Sequence, residues 1–101
     1  MVTPVYFCAS KLEAFAGRGE NDYQGSRDLE DLIAVVDGRA ELIGEIRASA
    51  GDVRSYLSKK VKQLVSIREF TDALPGHLPP DAASQERVAI VISRLEEIAS
   101  V

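Results

Sequence analysis

Apolar residues recur every three or four positions along most of the chain. This spacing places them on one side of an α-helix, whereas a β-strand would need alternation at every second position. The resulting stripes contain Val5, Cys8, Leu12 and Phe15; Leu29, Leu32, Ile33 and Val36; Leu42, Ile43 and Ile46; Val53, Leu57, Val61 and Leu64; Ile67, Phe70 and Leu74; and Val88, Val91, Leu95 and Ile98. The pattern predicts an all-α fold, a compact bundle of five or six short helices forming one domain over residues 1–101.

Polar residues and glycines predict where these helices begin and end. Residues typical of helix N-caps precede four of the stripes: Thr3, Ser26, Asp52, and Asp81 or Ser84. Gly17 is expected to end the first helix in a left-handed conformation, and Gly51 is expected to end the third. Phe7 and Ala14 lie on a different side of the first helix from its stripe, so this helix has two sides to bury.

Composition narrows the functions that the chain can have. Its 101 residues carry a net charge of −4, which disfavours nucleic acid or an anionic membrane as a partner because both require a basic surface. The single cysteine, Cys8, is expected to be a buried and unreactive thiol, and His77 to be a turn residue without further metal ligands nearby. With no signal peptide and no long apolar run, a cytoplasmic protein is expected.

One polar cluster has a spacing suited to chemistry. Asp28 and Asp31 lie on the same face of the second helix, while Lys11 and Arg18 come from the first helix and its exit. If the two helices pair in antiparallel fashion, Lys11 or Arg18 approaches the two carboxylates. Such a set holds a nucleotide phosphate or a metal-bound phosphate in some proteins. On spacing alone it is more typical of a helical hairpin held by ordinary salt bridges, because surface charge pairs of this kind are common.

Three strings, the first two of which contain the members of this cluster, resemble a known family. They are VYFCASKLEAFAGRG (5–19), DYQGSRDLEDLIAVVDGRAEL (22–42) and, more weakly, LPGHLPPDAASQER (74–87). Together they resemble the C-terminal helical part of bacterial nucleotidyltransferase-like proteins of the abortive-infection toxin type. The resemblance matches Lys11 to the family's lysine position, and Asp28 and Asp31 to its acidic position, with Arg18 nearby.

The family's catalytic core has no counterpart in this sequence. That core carries a Gly-Ser turn and an Asp-x-Asp pair on a strand. The sequence contains no Asp-x-Asp, and its only Gly-Ser pair, Gly25-Ser26, is expected to open a helix instead of following a strand. Nucleotidyl transfer depends on metal ions that neutralise the phosphates. We therefore expect no catalytic residue, no metal site and no cofactor in this chain by itself.

The resemblance leads to two functional hypotheses. A helical part without its core leaves a surface that must be covered, and self-association covers it most simply. The first hypothesis is therefore a non-enzymatic, self-associating interaction module, a homo-oligomer and preferably a dimer, with Tyr6, Phe7 and Ala14 at the interface. The second is the helical subunit of a split nucleotidyltransferase, which would complete an active site with Mg²⁺ and a nucleotide in trans with a separate core protein.

Overall fold

Helices account for most of the computed structural model, which describes residues 3–19 and 22–101 except the side chains of residues 18 and 19. The α-helices are α1 (Pro4–Ala14), α2 (Arg27–Gly38), α3 (Leu42–Arg47), α4 (Gly51–Val65), α5 (Arg68–Ala73), α6 (Ala82–Glu86) and α7 (Val88–Ala99). A π-helical turn (Phe15–Gly19) extends α1, and a 3-10 turn (Leu74–His77) follows α5. These ranges contain no strand, which confirms the all-α class. If α6 and α7 are counted as the two parts of the last predicted helix, the described ranges contain six α-helices, within the predicted five or six.

Three predicted N-caps are confirmed. The Thr3 and Ser26 hydroxyls and the Asp81 carboxylate each accept a hydrogen bond from the backbone N–H three residues later, at 3.3, 3.2 and 3.0 Å. Each bond satisfies one of the N–H groups that a helix leaves without an internal partner at its start. The backbone hydrogen bond also lowers the pKa of Asp81.

The prediction that Gly17 ends the first helix in a left-handed conformation is wrong. No glycine in the described residues has a positive φ angle, and Gly17 lies inside the π-helical turn. This turn begins at Phe15, whose side chain is 8% exposed and packs with its ring centroid 5.5 Å from that of Tyr23. Continued winding keeps Phe15 in the core, and that burial favours the wider turn over a left-handed cap.

The predicted boundary between the third and fourth helices is also wrong. α3 ends earlier, at Arg47, and Gly51 begins α4 instead of ending α3. Asp52 therefore lies in the first turn of α4 and forms no capping bond there. Its charge is still favourable at this position, because the N-terminal end of a helix carries a partial positive charge.

One apolar core connects the helices. The most extensive helix pair is α4 with α7, and the Ser58 hydroxyl donates a hydrogen bond of 2.8 Å to the carbonyl of Ala99 at the end of α7. Side chains with 0% exposure come from four helices and from the 3-10 turn: Leu29, Ile33, Ile46, Phe70, Leu74, Val91 and Leu95. No helix in the described ranges is both long and apolar enough to cross a membrane.

α1 and α2 form an antiparallel hairpin that positions the polar cluster. Pro4 and Phe7 of α1 line a groove together with Val35 and Gly38 of α2, so the start of α1 meets the end of α2. The end of α1 consequently meets the start of α2. Lys11, in the last turn of α1, is thereby brought to the first two turns of α2.

Candidate functional site

The structure brings three of the sequence-predicted site residues together: Lys11, Asp28 and Asp31, here called the Lys11 cluster. The Lys11 Nζ atom is 2.8 Å from Asp31 Oδ2 and 3.8 Å from Asp28 Oδ1. The Asp28 side chain is 7% exposed, that of Lys11 25% and that of Asp31 46%. The ammonium group therefore lies between a buried and a half-exposed carboxylate at the edge of the α1–α2 contact.

Local sequence explains how the cluster forms. The Ser26 cap starts α2 two residues before Asp28, and a carboxylate in the first turn is stabilised by the helix dipole. Asp31 follows three residues later and lies on the same face. Lys11 is stabilised in the same way at the C-terminal end of α1, where a positive charge is favoured.

Phe7 provides an apolar support for the lysine. Its side chain is half-buried, and the Lys11 ammonium is 5.3 Å from the centroid of its ring. A cation at this distance over an aromatic face is attracted by the ring electrons. The Lys11 ammonium therefore interacts with both the Phe7 ring and the Asp31 carboxylate.

The positive charge of Lys11 is already neutralised by the two carboxylates of its own cluster. An incoming phosphate would have to take Lys11 away from Asp31 and would then meet two carboxylates, both of which repel an anion. Asp28 has a further interaction within the fold. The side chain of Arg18, the fourth predicted member, lies outside the described part of the chain. Within that part, no group of three or more His, Cys, Asp or Glu side chains could hold a metal ion.

The three predicted interface residues have different environments. Tyr6 is 52% exposed and lies between two shallow grooves, whereas Phe7 and Ala14 are half-buried. Phe7 lines a third groove, of about 390 Å³, with α2 residues that include Ala34 and Val35. The outer side of α1 therefore presents aromatic and small apolar side chains that the core does not cover.

Cys8 and His77 have structural environments. The Cys8 side chain is 2% exposed, and burial, helped by the Glu45 carboxylate, raises the pKa of its thiol to about 11. A thiol in this state is a poor nucleophile because the thiolate is the reactive form. His77 is half-buried and its Nε2 atom is 2.6 Å from the carbonyl oxygen of Tyr23. A carbonyl only accepts, so Nε2 donates this bond and ties the 3-10 turn to the loop before α2.

Sequence reasoning did not find the arginine pair at the other end of α2. Arg87 Nε donates to Asp37 Oδ1 at 2.7 Å, and an Arg94 Nη1 nitrogen donates to the carbonyls of Val36 and Asp37 at 3.0 and 2.6 Å. Both arginines thus donate hydrogen bonds to polar groups at the C-terminal end of α2, including carbonyls that the helix leaves without internal partners. These bonds hold the end of α2 against α7 and the residue before it. Their spacing of seven residues, which puts them on one face of a helix, was the signal in the sequence.

Comparisons of the chain with models of protein families, with curated proteins and with solved structures find no match. The resemblance to nucleotidyltransferase-like proteins accordingly stays a prediction from the sequence.

Proposed function

We propose that this protein is a non-enzymatic helical interaction module that self-associates through the outer side of α1. The observation that carries the proposal is that the Tyr6 side chain is 52% exposed. In the described part of the chain, Tyr6 and Ile90 are the only two large apolar side chains that are exposed. Tyrosine is enriched at protein interfaces because it combines a large apolar ring with a polar end.

The surroundings of Tyr6 support the same surface. Phe7 and the half-buried Pro4 line the groove against α2, and Tyr6 and Pro4 line a second groove with Ala48 and Ala50 beyond the end of α3. Complete burial of a large apolar side chain contributes about 1.5–3 kcal/mol. Covering both aromatic side chains in each of two copies supplies several kcal/mol toward a dimer, which would be symmetric with like surfaces in contact.

The Lys11 cluster also supports an interaction module over a catalyst. Its lysine is already bound to carboxylates of the same chain, so the cluster acts as a link between α1 and α2. We keep the cytoplasmic location as part of this proposal, since the single cysteine, Cys8, is buried and has no second cysteine with which to form an internal disulfide.

Light scattering on a sizing column tests the proposal. The chain is expected to run as a discrete dimer, and the Tyr6→Glu and Phe7→Glu variants are expected to run as folded monomers. Ile90→Glu is the matched control, because Ile90 is 42% exposed but lies on α7. Tyr6→Glu decides the result if Phe7→Glu fails to fold, since Tyr6 is the more exposed of the two.

The second candidate function is the helical subunit of a split nucleotidyltransferase. It is favoured by the convergence of the three residues that the resemblance selects, and by the 46% exposure that the Asp31 side chain keeps although it pairs with Lys11. In that case the isolated chain would be a monomer at every concentration, and a core protein with Gly-Ser and Asp-x-Asp motifs would complete it. The same light-scattering measurement therefore separates the two candidates.

A further inference from the structure

A groove of about 370 Å³ lies between α1 and α4 and is here called the α1–α4 groove. Tyr6 and Tyr56 contribute its aromatic surfaces, and Val53 contributes an apolar one. Two carboxylate residues, Glu13 and Asp52, also line it, and no basic side chain among the described residues does. The groove thus combines aromatic rings with a negative charge.

Both carboxylates are available to a partner. Glu13 and Asp52 are exposed, and neither forms an ion pair with another described residue. Glu13 lies close enough to Tyr56 that its charge adds to the effect of burial in raising the pKa of the tyrosine hydroxyl. The charge of Glu13 therefore acts on the aromatic part of the groove as well as on solvent.

A guanidinium group matches this combination better than other common side chains. It stacks on an aromatic face, and its planar set of donors pairs with carboxylates. The Tyr56 ring already interacts with a cation within the fold, because the Lys60 ammonium lies 5.8 Å from its centroid. Tyr6 has a half-exposed ring on which a second cation could stack.

We propose that the α1–α4 groove binds an arginine side chain presented by a different, basic polypeptide. The inference rests on the proposed function as an interaction module and adds a second partner. Self-association would use Phe7 and the two grooves that Pro4 lines, whereas this groove lies on the α4 side of Tyr6. A second copy of this chain is the poorer occupant of this groove, because its net charge of −4 brings mainly like charge to Glu13 and Asp52, which line neither of the grooves used in self-association. An arginine-bearing partner is attracted by that same charge.

The test is a ¹H–¹⁵N NMR titration of the full chain with N-acetyl-arginine methylamide. The neutral citrulline derivative serves as an isosteric control at the same ionic strength. The arginine probe is expected to shift the amides of Tyr6, Val53 and Tyr56 saturably, with a dissociation constant of about 1–10 mM, as suits a single side chain. The citrulline probe should bind about tenfold more weakly or not at all.

Paired variants locate the binding. Glu13→Gln combined with Asp52→Asn should weaken the arginine probe about tenfold, while the control Glu86→Gln with Glu96→Gln, which removes two exposed charges elsewhere, should not. A thermal melt of each variant verifies that it is folded. Equal binding of both probes, or unchanged binding by the folded Glu13 and Asp52 variant, overturns the proposal.

Two further outcomes separate this inference from self-association. If the amides of Val53 and Tyr56 shift when the protein alone is diluted, a second copy occupies the groove and the assignment to a basic partner is wrong. A dilution shift of the Tyr6 amide alone is expected of the proposed dimer. A chain that is monomeric by light scattering yet binds the arginine probe refutes self-association and supports the groove. An oligomer that does not bind the arginine probe supports self-association and refutes the proposal for the groove.

Discussion

The two faces of α1 show how one helix divides its residues between folding and binding. The inner face, together with the π-helical turn that extends it, consists of Val5, Cys8, Leu12 and Phe15, all at most 8% exposed. The outer face carries Tyr6, which is 52% exposed, and the half-buried Phe7, whose ring centroid lies 5.3 Å from the Lys11 ammonium. The core needs only the inner face, so apolar side chains on the outer face are available for a partner.

The largest expected effect distinguishes the two faces by stability. Leu12→Ala removes a buried side chain and leaves a cavity, so the free energy of unfolding should fall by about 2–5 kcal/mol. Tyr6→Ala should change it by no more than about 0.5 kcal/mol. Urea unfolding, at a concentration where both variants are monomeric, provides the comparison. Similar losses for the two variants would mean that the outer face is part of the core.

Cys8, the only ionisable side chain of the four on the inner face, should make the free energy of unfolding fall as the pH becomes alkaline. Cys8 has a thiol pKa of about 11 in the folded chain against an ordinary value of 9.0. Below pH 9 the thiol is protonated in both states and its contribution is complete. Between about pH 9 and 11 the unfolded chain loses its proton first, so the contribution of Cys8, up to about 2–3 kcal/mol, disappears as the pH rises.

The Cys8→Ala variant isolates this contribution from the tyrosines and lysines that ionise in the same range. The difference in unfolding free energy between the natural chain and Cys8→Ala should become less favourable to the natural chain from pH 8 to pH 11. A difference that stays constant over this range would show that the thiol is accessible to water in the folded protein.

A smaller effect is expected at the charged residue of the outer face. Lys11→Met leaves the buried Asp28 carboxylate beside Asp31 without the ammonium, so unfolding should become easier by about 1–3 kcal/mol. The control Asp31→Asn keeps the lysine beside Asp28 and should cost at most about 1 kcal/mol, because Asp31 is half-exposed. Chemical unfolding of both variants measures the difference. A larger loss for Asp31→Asn would contradict the arrangement described here.

Much of the fold could be predicted from local patterns. The apolar stripes identified the helices, and Ser26 identified the start of α2, because capping depends on a few neighbouring residues. The proximity of Lys11 to Asp28 and Asp31 followed from helical spacing combined with an antiparallel hairpin. These features depend on short segments and so can be read along the chain.

Other features depend on contacts between distant segments and could not be predicted in this way. The π-helical turn at Phe15 is favoured by packing against Tyr23, across the loop that joins two helices. The bonds from Arg94 to the end of α2 join residues 57 and 58 positions apart. The start of α4 at Gly51 was missed because glycine is more typical of helix ends.

Light scattering on a sizing column, over a range of concentrations, tests the central claim most directly. The account predicts a discrete dimer that Tyr6→Glu converts to a folded monomer and that Ile90→Glu leaves intact. A natural chain that stays monomeric at every concentration, or a dimer that survives Tyr6→Glu and Phe7→Glu, would contradict self-association through the outer face of α1.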